Sequence, residues 1–194
     1  MSDGGIRIVP ADDVPWEDVQ TVFGTRGAAA RCQCQRYKLY PRESFGSVPV
    51  EERAQRLRDE PGCGLVAYLD DEPAGWCAVQ PRTAYHGLAR VFRVPWQGRD
   101  EDRDDETVWA VTCFATRAGY RKRGVATELA YAAVEHARGR GARAVEAYPI
   151  TTTSVILEEL HVGTVGMFAA AGPSLTSRPF RKMRGLSSVA ARGV

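Results

Sequence analysis

A short basic segment with one glycine is the part of this 194-residue sequence whose residue types could bind a charged ligand. The segment reads Arg121-Lys122-Arg123-Gly124-Val125-Ala126. A glycine at a helix start lets a phosphate approach backbone N–H groups, which are unpaired there and carry a partial positive charge. The basic side chains can add charge-assisted hydrogen bonds. The pattern therefore predicts a phosphate or pyrophosphate site at residues 121–126.

The segments on either side of this loop have the patterns of secondary structure that would position it. Residues 107–115 are almost continuously apolar, which is typical of a strand buried on both faces of a sheet. Residues 125–138 repeat apolar side chains at helical spacing and are followed by Gly139, a candidate helix stop. Residues 142–148 predict a further strand. The order strand, loop, helix, strand predicts a βαβ unit with the basic loop at the end of a buried strand.

The rest of the sequence predicts mainly antiparallel strands. Residues 6–9 predict a first strand, and residues 64–69 and 74–79 predict a hairpin joined by a turn at residues 70–73. Residues 81–106 form a long irregular stretch, a kind of segment that often carries function. We therefore expect an α/β protein with a mixed, largely antiparallel central sheet flanked by helices.

Two helix starts are visible before the hairpin. Asp12 and Asp13 are candidate N-caps for a helix that begins near Pro15. A second helix is predicted after Pro49, with acidic residues in its first turn and basic residues later, as the helix dipole favours. Residues 26–40 are rich in small and polar residues and receive no assignment.

Composition restricts the class of protein. Hydrophobic residues make up 44% and charged residues 26% of the sequence, as in ordinary globular proteins, and the length suits one domain over residues 1–194. The formal net charge of +2 argues against a nucleic-acid partner. No apolar run is long enough to cross a bilayer, no secretory signal is visible, and the five cysteines are an odd number. We expect a cytoplasmic protein with reduced thiols and no membrane partner.

Two other phosphate-binding motifs do not fit the loop. No Gly-Lys-Ser or Gly-Lys-Thr follows, and Gly139-Arg140-Gly141 lies between a helix and a strand, where a dinucleotide fingerprint does not occur. With its flanking elements, the loop resembles motif A of the GNAT superfamily of N-acetyltransferases: Arg or Gln, two residues, Gly, one residue, then Gly or Ala. Motif A would span about residues 107–139. Residues 161–172 are similar to the motif B helix, and the tail after residue 185 is expected to be flexible.

The resemblance implies a GNAT-like acyl-CoA N-acyltransferase fold. It also implies direct transfer of an acetyl group from acetyl-CoA to an amine of a small molecule or peptide. The motif A loop would hold the pyrophosphate of this cosubstrate, and the end of the preceding strand would pair with its pantetheine arm. The cofactor-binding residues so implied are Phe114, Ala115, Thr116, Arg121, Lys122, Arg123, Gly124, Val125 and Ala126. No metal is implied, and a homodimer stays open.

The sequence departs from the family pattern where catalytic groups are expected. His161 stands where many members have Asn, and Gly172-Pro173 stands where Gly-Phe is usual. Phe168 replaces a Tyr that commonly protonates the leaving thiolate. A phenyl ring cannot donate a proton, so another group must do this work, or the thiolate leaves unprotonated, or the activity is weak.

Three residues are candidates for the proton transfers. Glu146, on the strand after the motif A helix, is either a base or an exposed or salt-bridged carboxylate. Tyr148 lies on the same face of that strand and is either the missing acid or a core or edge tyrosine. His161 is either a base that titrates near neutral pH or a helix cap or loop residue.

Other interpretations use different residues. Phe168 favours a non-catalytic module that binds or senses acyl-CoA. Residues 117–123 could contact the phosphates of a nucleic acid, although the basic run is short. Cys113 lies within an apolar run and is expected to be a core residue with a raised pKa rather than a nucleophile. The pair Cys32-Gln33-Cys34 lacks the second pair of ligands that a zinc site needs.

Overall fold

A single mixed sheet organises the part of the chain that this computed structural model describes, namely residues 5–91, 100–149, 161–170 and 189–192. The strands lie in chain order across the sheet: β1 (Ile6–Pro10), β2 (Leu65–Leu69), β3 (Glu72–Pro81), β4 (Val108–Thr116), β5 (Ala144–Ala147) and β6 (Val189–Arg192). Every neighbouring pair is antiparallel except β4 and β5, which are parallel. The predicted α/β fold with a mixed, largely antiparallel sheet is confirmed.

Helices cover both faces of this sheet. They are α1 (Trp16–Phe23), α2 (Gly27–Cys32), α3 (Val50–Arg58), α4 (His86–Val91), α5 (Val125–Gly139) and α6 (Val165–Ala170). The apolar stripe of α5 packs on one face of the sheet, and α1 packs on the other face. Helix α5 connects the parallel strands β4 and β5, so the predicted βαβ unit is present.

The hairpin of β2 and β3 has a tighter turn than the sequence predicted. Asp70 and Asp71 both have a positive φ, of 55° and 61°, and β3 already begins at Glu72. Two left-handed central residues form the type of turn whose twist matches that of the flanking strands. Aspartate tolerates this conformation better than most residues, which explains the Asp-Asp pair.

A β-bulge in β4 shifts the alternation of its side chains between the two faces of the sheet. Ala78 of β3 lies opposite Cys113, whereas the next residue, Val79, lies opposite Val111, so Thr112 is the extra residue. Before the bulge, Val111 packs towards α5. After it, Phe114 packs towards α5 and Cys113 towards α1. The bulge thus decides which face receives each residue at the end of this strand.

The predicted caps of α1 are wrong. Asp12 and Asp13 belong to a short 3-10 turn, and the N-cap position of α1 is Pro15, which makes no side-chain hydrogen bond. Because the helix begins only after Pro15, whose ring fixes its φ, neither aspartate can cap the first turn. The carboxylate of Asp12 instead accepts the N–H of Gly62, at 2.9 Å.

Helix α5 ends at Gly139 as predicted, and the left-handed residue after it is Gly141, with φ 83°, whose N–H donates to the carbonyl oxygen of Arg138. Residues 189–192 form β6, which pairs antiparallel with β5. Within the described residues, no helix has the length and apolar character required to cross a membrane.

We predict that Gly75→Ala destabilises the protein. A Cβ at Gly75 in β3 would lie 2.5 Å from Val125 Cγ1 and 3.0 Å from Leu129 Cδ1, so the first turn of α5 would have to move away from the sheet. Overpacking of this kind costs about 1–3 kcal/mol, measured as a loss in the free energy of unfolding in urea. Gly46→Ala is the control, because the nearest atom to its added Cβ is 3.8 Å away. Equal stability of the two variants would contradict this account of the packing.

Candidate functional site

A groove of about 670 Å³ runs along the end of β4. Its floor includes Cys113 and the three residues that follow it, and one end is formed by Arg121 and Ala126 at the start of α5. One wall comes from the segment that joins α1 to α2, and His161 and Met167 line the groove as well. The groove therefore connects the basic loop with one of the three candidate catalytic residues.

The loop before α5 has the backbone shape of an anion-binding site. Lys122 and Gly124 have positive φ angles of 61° and 85°, and Arg123 between them does not. Alternation of this kind turns successive N–H groups towards one side, where they form a concave nest for an anion. The first N–H groups of α5, which begins at Val125, have no partner within the helix and add the positive end of its dipole.

The side chains of this loop have separate roles. Arg121 lies in the groove, where its Nε donates to the carbonyl oxygen of Thr116 at 3.4 Å. Lys122 is exposed, whereas Arg123 points to the β2–β3 turn and forms an ion pair with Asp70 at 3.1 Å. The Val125 side chain is buried in the α5 face of the core, so this residue can offer a ligand only its backbone. Of the predicted basic residues, Arg121 is the one that reaches the groove.

The second half of β4 has an open edge. Pairing with β5 covers only the register from Val108 to Val111, whereas pairing with β3 continues to Thr116. Within the described residues, no strand covers β4 on the β5 side beyond Val111. Phe114, Ala115 and Thr116 line the groove there. An extended ligand can therefore hydrogen-bond to the backbone of these residues as an added strand would.

Glu146 and Tyr148 lie in a buried ion-pair network. Arg82 Nη1 is 3.1 Å from Glu146 Oε1, and the Tyr148 hydroxyl donates to Glu146 Oε2 at 2.7 Å. Arg82 also donates to the carbonyl oxygen of Asp102 at 2.9 Å and lies 3.8 Å from the carboxylate of Glu101. The side chains of Arg82 and Glu146 are each 1% exposed, and Glu146 does not line the groove. This arrangement corresponds to a salt-bridged carboxylate, one of the two interpretations of the sequence.

His161 lies at the groove and contacts a tyrosine from a distant part of the chain. Its Nε2 is 3.4 Å from the hydroxyl oxygen of Tyr37, and the two rings are stacked with centroids 5.9 Å apart. Burial raises the pKa of Tyr37 well above its usual value, so this hydroxyl stays neutral. A half-buried histidine that is fixed by a neutral hydroxyl and open to a groove is suited to accept a proton.

The turn after His161 is closely packed against α6. Gly163 has a φ of 82°, and a Cβ there would lie 2.5 Å from Met167 Cε and 2.9 Å from Phe168 Cε2. Phe168 is 2% exposed and packs edge-on against Phe114, with ring centroids 5.8 Å apart. Phe168 thus holds α6 against β4 from the core side and does not line the groove.

Two cysteines in the groove form a buried pair that the sequence did not indicate. Cys34 and Cys113 are hydrogen-bonded to each other, and the indole N–H of Trp76 donates to Cys34 Sγ at 3.4 Å. The contact with Cys34, together with burial, raises the pKa of Cys113. The raised pKa agrees with the expectation that Cys113 is not a nucleophile, and all five cysteines are free thiols.

Three residues at or near the site were not predicted from the sequence: two within residues 26–40, and the arginine that pairs with Glu146. Tyr37 and Arg36 lie in the segment that received no assignment, and Arg82 lies just after the end of β3. None belongs to a recognisable motif. The one available signal was the position of Arg82 in a largely apolar stretch, where a buried arginine requires a carboxylate partner.

A central strand that opens at one edge and leads into an anion-binding helix start is the arrangement expected of an acyl-CoA-binding α/β fold. Residues 32–155, more than half of the sequence, match the family model described as the acetyltransferase (GNAT) family. The chain therefore belongs to the acetyltransferase (GNAT) family. None of the curated proteins matches the sequence at a significant level.

Solved structures with a similar fold include several acetyltransferases at low sequence identity. A GCN5-related N-acetyltransferase from Kribbella flavida is 18% identical, with a TM-score of 0.52 over 95% of this chain and 96% of that one. The GNAT domain of PAT from S. lividans is 19% identical, with a TM-score of 0.53 over 97% and 91%. YncA from Salmonella typhimurium, solved with its cofactor acetyl-CoA, is 12% identical, with a TM-score of 0.51 over 96% and 93%. These similarities show the fold.

We predict that Glu146→Gln lowers stability more than its conservative nature suggests. The change removes the charge of the carboxylate that lies 3.1 Å from the buried guanidinium of Arg82, whereas the carboxylate of Glu101 is more distant, at 3.8 Å. Removal of one partner of a buried ion pair costs about 3–5 kcal/mol, measured as the free energy of unfolding in urea. Glu135→Gln is the matched control, because the Glu135–Arg138 pair is about half exposed and worth less than about 1 kcal/mol. A loss at residue 146 no larger than that at residue 135 would contradict a structural role for the buried network.

Proposed function

We propose that this protein transfers an acetyl group from acetyl-CoA to an amine acceptor. The observation that carries the proposal is a single groove lined by Arg121 and Ala126, which flank the nest, by residues 113–116 of β4 and by His161. The acceptor would be a small molecule or a peptide. Membership of the acetyltransferase (GNAT) family supports the reaction type.

In this proposal the chain binds acetyl-CoA mainly through its backbone. The N–H groups of residues 122–126 hold the pyrophosphate, and Arg121 adds a charged donor from the side of the groove. The open edge of β4 at residues 114–116 receives the pantetheine arm through backbone hydrogen bonds. These contacts fix the thioester near Cys113 and His161, so much of the rate enhancement comes from proximity and orientation.

His161 accepts the proton that the amine loses when it attacks the thioester. The Nε2 of His161 lies 3.4 Å from the Tyr37 hydroxyl oxygen, so Tyr37 is a positioning residue for the imidazole ring. Glu146 is not the base in this proposal, since Arg82 and Tyr148 already engage both of its oxygens.

A non-catalytic acyl-CoA-binding module is the less favoured alternative. Phe168 in place of a tyrosine favours it, but Phe168 packs in the core against Phe114 and α6 needs this contact. A sensor would also have no use for a histidine that a distant tyrosine orients at the groove. Turnover of any amine by the unmodified protein would eliminate this alternative.

The cosubstrate site is tested by Gly124→Glu. A side chain and a negative charge in the nest should abolish acetyl-CoA binding, because the pyrophosphate would meet a carboxylate in place of an N–H group. Isothermal calorimetry measures the binding, and circular dichroism checks that the fold is retained. Gly141→Glu is the matched control, since Gly141 is an exposed glycine with φ 83° at the other end of α5 and suffers the same backbone strain. Binding by both variants would refute a pyrophosphate site at residue 124.

The proton acceptor is tested by His161→Gln. Loss of a general base lowers kcat by about 10²- to 10⁴-fold, while the dissociation constant of acetyl-CoA stays unchanged. The wild-type rate should fall at low pH, where a protonated His161 cannot accept the proton of the amine, and the variant should lose this limb of the pH–rate profile. His86→Gln, an exposed histidine stacked on Tyr40, is the control and should keep the limb. Persistence of the limb in the residue 161 variant would assign the base to another group.

A further inference from the structure

The charges that line the groove all have the same sign. Within the part of the chain that the structure describes, the charged side chains at its surface are Arg26, Arg36, Arg117 and Arg121, and no aspartate or glutamate contributes to the lining. His161 adds a group that becomes cationic on protonation. The described part of the groove lining therefore carries cationic side chains without an acidic one among them.

Two of these arginines belong to the end that would hold the phosphates of the cosubstrate. Arg121 donates to the carbonyl oxygen of Thr116, at the last residue of β4. Arg117 donates to the carbonyl oxygen of Pro73 and pairs with Glu72, at 3.1 Å in each case. Both side chains are anchored beside the motif A loop.

Arg36 belongs to the other end of the groove. The next residue, Tyr37, contacts His161, and Arg36 lines the groove together with Cys32. Its side chain is exposed, and its guanidinium lies 5.9 Å from the ring centroid of Phe45, a contact that leaves its charge available. Arg26, also exposed, lies on the same wall just before α2.

This distribution of charge discriminates between classes of amine. A polyamine or an aminoglycoside carries several ammonium groups, and the described lining offers them no carboxylate and several like charges. An amine that also carries a carboxylate could present that group to a guanidinium, whose planar fork matches it in two hydrogen bonds. A positive surrounding also favours the neutral, nucleophilic form of the amine.

We propose that the acceptor is an amino acid or a similar amine with a nearby carboxylate, which Arg36 binds at the His161 end of the groove. This inference rests on the proposed acetyl transfer for the identity of the reacting group. Arg26 is the second cationic residue on the wall and assists by its charge.

The test compares matched acceptors that differ only in the anionic group. Phenylalanine, phenylalanine amide and phenethylamine form one series, and methionine, methionine amide and 3-(methylthio)propylamine form another. Spermidine and kanamycin represent cationic amines. CoA release gives kcat/KM for each, and calorimetry with the CoA-saturated protein gives the affinity for each without requiring turnover.

The expected result is a preference for the amino acid over its amide and its decarboxylated amine of about 10- to 100-fold, the value of a charge-assisted hydrogen bond. Arg36→Gln should remove this preference by raising KM for the amino acids alone, with kcat and the acetyl-CoA affinity unchanged. Arg36→Lys should restore part of the affinity, because it retains the charge but not the fork.

Three outcomes would overturn the inference. These are equal affinity for acid and amide, preference for spermidine or kanamycin, and an Arg36→Gln variant that weakens acetyl-CoA binding instead of acceptor binding. The last result would place Arg36 at a phosphate of the cosubstrate. Selective binding of amino acids to the CoA complex without turnover would support the specificity while refuting the proposed acetyl transfer, so failures of the two proposals are distinguishable.

Discussion

The site depends on the point at which β4 stops pairing with β5 while its pairing with β3 continues. Up to Val111 the strand is paired on both sides, and beyond it the pairing among the described residues continues on the β3 side only. A strand with one free edge in the middle of a sheet normally exposes unsatisfied backbone groups. The bulge at Thr112 marks this transition and turns Phe114 into the core under α5 and Cys113 towards α1. The same irregularity thus opens the groove and anchors its floor.

A buried ion-pair network joins the elements around the first half of β4, where this strand is paired on both sides. Arg82 follows β3, the carbonyl of Asp102 belongs to the segment before β4, and Glu146 lies on β5, so one guanidinium connects three parts of the sheet edge. The side chains of Arg82 and Glu146 are each 1% exposed, so either charge alone would carry a large desolvation cost, which their mutual contact offsets. A proton-transfer role would require Glu146 to change its charge inside this network. The stability of the sheet and the use of Glu146 as a base therefore conflict.

Sequence reasoning succeeded where the determinants are local and failed where they are tertiary. The helix start at residue 124, the helix periodicity of α5 and the apolar run of β4 are each encoded within a few residues. The bulge at Thr112 could not be seen, because a run that is apolar on both faces has no alternation for an extra residue to break. The contact between Tyr37 and His161 joins residues 124 positions apart, and only the fold brings them together. Residues 26–40, which form part of the wall, lack a hydrophobic periodicity from which their conformation could be predicted.

The replacement of the family tyrosine by Phe168 matters less in a positive groove than in a neutral one. A thiol has an ordinary pKa of about 8.5, and nearby cations lower it further, so a thiolate can leave without first receiving a proton. In the proposed reaction, His161 becomes a cation when it takes the proton of the amine, and Arg36 lines the same groove. The positive charge then lies close to where the negative charge develops, which is the arrangement that stabilises a transition state. The same imidazolium can afterwards return its proton to the thiolate, so one histidine serves in both directions and the phenyl ring of Phe168 is free to pack against Phe114.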